Sequence, residues 1–98
     1  MIDFEWDPTK ALANHRKHGV AFREAATVFR DPFSITVYDE DHSETEDRFL
    51  TVGISVGRRP LIVSHTDRGD RTRIISAREL TRMERQAYEN EIQRRGKR

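Results

Sequence analysis

The chain has 98 residues, of which 36% are charged and 35% hydrophobic, a formal net charge of +1, and no cysteine. That length points to a single domain with one modest core. The missing cysteines exclude disulfides, thiolate metal sites and cysteine nucleophiles. No run approaches the roughly 20 apolar residues of a membrane span, and the N-terminus has no basic-then-apolar leader pattern, so a cytoplasmic protein with no membrane partner is expected. The near-zero charge conceals an asymmetry. Residues 1–57 carry 6 basic and 11 acidic groups, and residues 58–98 carry 12 basic and 6 acidic ones, so the halves stand at −5 and +6. Fifteen of the 18 basic residues are arginine, whose planar fork pairs bidentately with phosphate or carboxylate.

Ile2-Asp-Phe-Glu-Trp6 alternates apolar and polar and reads as a short strand. Asp7-Pro8 then opens a helix, with Asp accepting from free amides and Pro at the first helical position, and Gly19 closes it. Phe22, Ala25, Ala26 and Phe29 form one apolar stripe on a second helix over 20–30, stopped at Asp31-Pro32. Four strands are expected at Phe33–Tyr38, Arg48–Ser55, Leu61–Thr66 and Arg71–Ser76, in an antiparallel meander. Ser76-Ala-Arg-Glu79 matches a capping box and predicts a last helix to about residue 93. Residues 94–98 then form a basic tail after a single domain at 1–93. The order is β-α-α-β-β-β-β-α, an α+β fold. Its four-stranded antiparallel sheet, with the first strand beside it, has helices on one face and the other face open to a ligand.

The acidic loop Asp39–Asp47 begins with calcium-loop spacing at Asp39, Asp41 and Ser43. It then fails, with Glu44 where glycine is required and Leu50 where a bidentate Glu is required. The four histidines form no HExxH pattern, and the chain has no glycine-rich phosphate loop, so no metal and no cofactor are expected. What remains is cationic: Arg48, Arg68, Arg71, Arg73 and Arg78, with His65 and Glu46 as the nearest proton carriers. Fixed cations suit the developing charge of a phosphorane, and a His or Glu suits proton transfer, so RNA cleavage by its own 2′-hydroxyl without metal is one reading. Trp6, Tyr38 and Tyr88 are candidates for base stacking or for the core. The competing reading pairs Arg73 and Arg78 internally with Glu46, Glu79 or Glu84.

Several blocks together resemble the BrnT family of ribonuclease toxins from BrnT/BrnA type II toxin–antitoxin systems. They are Phe4-Glu-Trp-Asp-Pro8, Asn14-x-x-Lys-His-Gly-Val20 with Phe22-x-x-Ala25, Arg48-x-x-x-x-Gly53, and Arg73-Ile-Ile-Ser-Ala-Arg78 with Glu84-Arg85 and Tyr88. The resemblance spans about residues 3–90. It implies a RelE-like fold, metal-independent endoribonuclease activity and arrest of translation. It also implies a BrnA-like antitoxin, with an antitoxin dimer completing a heterotetramer and contacting operator DNA through its own DNA-binding part. By motif it points to Trp6, Lys17, Arg48, Arg68 and Arg78. Together with the chemical argument, the expected catalytic set is Arg68, Arg78, Arg48, His65, Glu46 and Lys17, with Trp6, Arg71, Arg73 and Tyr88 contacting RNA. A non-enzymatic nucleic-acid-binding module is the alternative, its basic half binding phosphates in a salt-sensitive way.

Overall fold

The computed structural model describes residues 2–96. Its elements are β1 (Asp3–Glu5), α1 (Pro8–His18), α2 (Phe22–Thr27) with a 3-10 turn at Val28–Arg30, and β2 (Ile35–Tyr38). After a second 3-10 turn at Glu40–His42 come β3 (Arg48–Ile54), β4 (Pro60–Arg68), β5 (Arg71–Glu79) and α3 (Arg82–Gly96). Local chemistry sets the first helix as expected. The Asp7 carboxylate accepts from the Thr9 amide at 3.3 Å, and Gly19 at φ 70° donates its N–H to His15 O.

The sheet order is β1-β5-β4-β3-β2. Strands β2 to β5 are the expected antiparallel meander, and a two-residue Gly69-Asp70 loop, with Gly69 at φ 63°, joins β4 to β5. The first strand is a full member of the sheet. It lies parallel to β5, Phe4 opposite Thr72 and Glu5 opposite Arg73, so the sheet is five-stranded and mixed where four antiparallel strands were expected. Two helices follow β1 in place of a hairpin, so no tight turn forces it antiparallel.

Helices cover both faces, which corrects the expectation of one open face. On one face Leu61, Val63, Ile74 and Ala77 pack with Val20, Phe22, Ala25 and Val28 in a core of fully or nearly fully buried side chains. On the other, α3 lies over Ile35, Val52 and Ile62, a shallow groove of about 250 Å³ remaining beneath it. The run Leu61-Ile-Val63 is apolar on both sides because both sides are covered. Gly53 serves the same packing: a Cβ there would lie 2.9 Å from Val28 Cγ1, so only glycine lets the 3-10 turn seat on β3.

The other correction lies at the start of α3. Ser76-Ala-Arg-Glu79 is strand, since Ser76, Ala77, Arg78 and Glu79 stand opposite Ser64, Val63, Ile62 and Leu61 on β4. Pairing with a buried neighbour outweighs a local capping preference. The working capping box is Thr81 with Glu84: Thr81 N donates to Glu84 Oε1 at 2.8 Å, and Glu84 N donates to Thr81 Oγ1 at 3.2 Å. At the far end α3 runs to Gly96, three residues past the expected 93, and Lys97 and Arg98 of the basic tail lie outside the described residues.

Candidate functional site

Strand register assembles the cations. Arg48 on β3 stands opposite Thr66 on β4, Thr66 opposite Arg73 on β5, and Arg73 opposite Glu5 on β1. One row thus crosses four strands on the α3-bearing face, beyond the region α3 covers. Two residues further on, Arg68 stands opposite Arg71, and Arg71 opposite Asp3. With strands about 4.8 Å apart and side chains alternating, four arginines share one end of one face. A β-bulge makes this possible. The register shifts between Ser64 and His65, leaving Ile75 unmatched, so Arg73 and Arg78, an odd number of residues apart, point to the same side.

Glu46 sits among these cations. Its carboxylate lies 3.6 Å from Arg48 Nε and 3.7 Å from Arg68 Nη2, close enough for charge attraction and too far for hydrogen bonds. The hydroxyl of Thr66 donates to Asp47 O at 2.5 Å and so fixes the end of the acidic loop that carries Glu46. Arg73 is held differently, donating to Glu5 Oε2 at 2.8 Å. The Nε of Arg48 is buried and has no hydrogen-bond partner. His65 Nδ1, on the other face, is the second buried side-chain atom without a partner among the described residues.

Arg78 stands apart from that cluster. It lies opposite Ile62, four residues along β4 from Thr66, or about 13 Å away along the strand. Its guanidinium makes a bidentate pair with Glu84, at 2.7 and 3.0 Å, and also donates to Glu79 O. The pair raises the Arg78 pKa. Glu84 falls to about 2, chiefly through the Arg78 bonds and then the Thr81 amide. Glu84, an interruption in the apolar stripe by sequence, is the residue that ties α3 to the sheet. The internal pairing expected for Arg73 and Arg78 therefore holds, with Glu5 in place of Glu46 for the first.

The other expected site residues are placed elsewhere. His65 belongs to the opposite, core face and is 6% exposed. It lies between Phe29 and Phe49, with ring centroids at 4.9 and 5.9 Å, and its Nε2 meets Thr51 Oγ1 at 2.7 Å. Burial lowers its pKa, and the ring lies on the opposite side of the sheet from the arginines. Lys17 is exposed on α1. That helix packs along β5 through Asn14, which bonds both backbone groups of Ala77, so Lys17 is not among the side chains gathered at the arginine rows. Trp6 is half-buried, its ring edge-on to Phe22 at 6.0 Å. Tyr88 is 8% exposed and donates to Asp31 Oδ2 at 3.1 Å; burial, then the Asp31 charge, push its pKa up to about 12. Neither His65 nor Tyr88 presents a free ring to a base. In the acidic loop Asp39 accepts from His42, and among the described residues no three His, Asp or Glu side chains converge as metal ligands. No helix of the described residues is long and apolar enough to cross a membrane.

Sequence reasoning missed Glu5 and Thr66. The alternation in Asp-Phe-Glu assigned Phe4 a face and so, implicitly, Glu5 the other, but only the parallel β1–β5 register sets Glu5 against Arg73.

Comparison with known proteins agrees with this architecture. The family model described as "Ribonuclease toxin, BrnT, of type II toxin-antitoxin system" matches residues 6–84. The crystal structure of the Brucella abortus ribonuclease toxin BrnT superposes with a TM-score of 0.64 at 20% sequence identity, covering 84% of this chain and 100% of that one, a likeness of fold. A comparison with curated proteins by sequence finds no match. With the family match spanning most of the chain, and a fold shared with a solved member, the chain belongs to the BrnT family of ribonuclease toxins of type II toxin–antitoxin systems.

Proposed function

We propose that this chain is a metal-independent endoribonuclease whose reaction centre is Glu46 with Arg48, Arg68 and Arg73. The observation that carries the reading is the strand register that sets Arg48, Arg68 and Arg73 at one end of one face, with the Glu46 carboxylate 3.6 Å from Arg48 and 3.7 Å from Arg68. A scissile phosphate seated between Arg48, Arg68 and Arg73 accepts from their guanidinium N–H donors. Because Glu46 is only loosely held by Arg48 and Arg68, their N–H donors can turn to phosphate oxygens without breaking a hydrogen bond. Glu46 then takes the proton of the 2′-hydroxyl as its oxygen attacks phosphorus. The arginines carry the growing charge of the phosphorane, and the P–O5′ bond breaks, the departing oxygen taking a proton from solvent. The products are a 2′,3′-cyclic phosphate and a 5′-hydroxyl end. Thr66 holds the end of the loop that carries Glu46, Glu5 positions Arg73, Arg71 extends the cationic surface along the RNA backbone, and Arg78 serves α3.

In the cell this activity would arrest translation from the cytoplasm. A BrnA-like antitoxin would neutralise it in a heterotetramer built on an antitoxin dimer, with operator DNA contacted only through the antitoxin. The test is cleavage of a defined RNA in EDTA by wild type, Glu46→Gln and Arg48→Lys, with folding checked by circular dichroism. Wild type cleaves, Glu46→Gln falls by roughly 10²–10⁴-fold, and Arg48→Lys falls by roughly 10²–10³-fold. Full activity in Glu46→Gln removes the carboxylate from the mechanism, and loss of wild-type cleavage in EDTA removes metal independence.

A further inference from the structure

A second concavity lies away from the arginine rows. A groove of about 580 Å³ runs between β1 and α2 on the face that carries α1 and α2, with Ile2, Phe4, Trp6 and Phe29 along it and Arg23 and Arg30 at its rim. Its floor comes from the period-two face of β1. Its rim comes from two arginines seven residues apart, about two helical turns or ~10 Å. Both are exposed, and neither has an ion pair or hydrogen bond among the described residues. Eight of the fourteen described arginines, Arg48, Arg59, Arg68, Arg73, Arg78, Arg85, Arg94 and Arg95, face carboxylates; of the other six, Arg23 and Arg30 are the two that line this groove.

The rings in the groove are turned toward one another. Phe4 meets Phe29 at 5.1 Å and Trp6 meets Phe22 edge-on, so their faces are engaged within the protein and are poor platforms for splayed bases. An apolar floor with two unpaired cations on its rim suits an amphipathic protein segment. β1 is also an edge strand, so its outer backbone groups are available to an extended segment.

We propose that this groove is the docking site for an acidic amphipathic segment of the antitoxin, with apolar side chains on Phe4, Trp6 and Phe29 and two carboxylates on Arg23 and Arg30. The proposal rests on the reading that the chain has a protein antitoxin. It goes beyond that reading by placing the contact on the face opposite the reaction centre. Antitoxin bound here meets β1 from one side while Glu5 on β1 holds Arg73 on the other, so neutralisation can act through the β1 edge without a side chain entering the arginine rows.

The experiment uses the full chain and its purified antitoxin. Affinity is measured by calorimetry for wild type, the double variant Arg23→Glu/Arg30→Glu, and an Arg16→Glu/Arg82→Glu control, and hydrogen exchange is followed on wild type. The expected result is a loss of roughly 30-fold or more for the double variant, steepest at low salt, with the control within a factor of about 3. Slowed exchange over residues 2–6 and 22–30 accompanies it, and RNA cleavage by the free double variant is unchanged. Unchanged affinity with protection only around residues 46–48 and 68–73 overturns the groove and leaves the antitoxin reading standing. Reduced RNA cleavage with unchanged antitoxin affinity makes the groove an RNA subsite and also overturns the proposal. No binding by wild type sinks both readings together.

Discussion

Glu84 offers the sharpest test of how α3 is attached. Its carboxylate accepts two bonds from Arg78 and one from the Thr81 amide, while its own amide donates to Thr81 Oγ1. Glu84→Ala removes the side-chain half of the capping box, about 1 kcal/mol, and leaves Arg78 unpaired. The fall of the Glu84 pKa to about 2 from 4.5 corresponds nominally to about 3 kcal/mol. The two side chains are 37% and 39% exposed, however, so solvent screening cuts the charge contribution to about 1 kcal/mol. A total of about 2 kcal/mol follows for Glu84→Ala, and about 1 for Glu84→Gln, which keeps an acceptor and loses the charge. For a chain of this size each 1 kcal/mol moves the melting midpoint by about 4–8 °C. The pH dependence has a definite sign. A carboxylate with a depressed folded pKa stabilises above its unfolded value and loses that contribution as pH falls toward the folded one. The gap between wild type and Glu84→Gln is therefore full above about pH 5 and shrinks between 4.5 and 2. Urea titrations of the three proteins from pH 7 to pH 3 measure it. Coincident curves at pH 7, or a gap constant down to pH 3, would refute the argument.

Three further outcomes follow from the geometry. Asn14→Ala frees both backbone groups of Ala77 and the carbonyl of Val20, so unfolding in urea should show a loss of about 3 kcal/mol, with RNA cleavage per folded molecule unchanged. His65→Gln should leave cleavage within a factor of about 3, because the ring is on the core face; a fall of 10²-fold or more would return it to proton transfer. Because burial depresses the His65 pKa, wild type should lose stability as pH falls below about 6.5, and His65→Gln should lose less over that interval, read by thermal melts at pH 7.5 and 5.5.

Where local signals decide the outcome, the chain was legible. Asp7-Pro8 and Gly19 bound α1 because caps act over one turn, and alternation in Ile2–Trp6 located β1 because the face carrying Phe4 and Trp6 packs against the buried core. The misreadings are non-local. The stretch from Ser76 to Glu79 satisfies a capping box on its own and is strand only because β4 lies beside it. His65 resembles a proton carrier until the sheet puts its ring between Phe29 and Phe49. Arg68 and Arg78 looked like partners because they end and follow one hairpin, yet strand rise separates them while register brings Arg48 and Arg73 together. The bulge at Ile75, which aims Arg73 and Arg78 to one side, has no composition marker at all.

The pairing of Glu5 with Arg73 spans 68 residues, and the clamp of Asn14 on Ala77 spans 63. Both join β1 and α1 to the last strand, β5. During synthesis at about 5–20 residues per second, β1 and α1 leave the ribosome several seconds before β5 exists to receive them. Until then the N-terminal segment has no edge to pair with and the arginine row has no outer wall. A chain interrupted before β5 would be unable to assemble the row. A ribonuclease made beside the RNA it would cut thus has its assembly deferred until β5 is translated, by contact order alone.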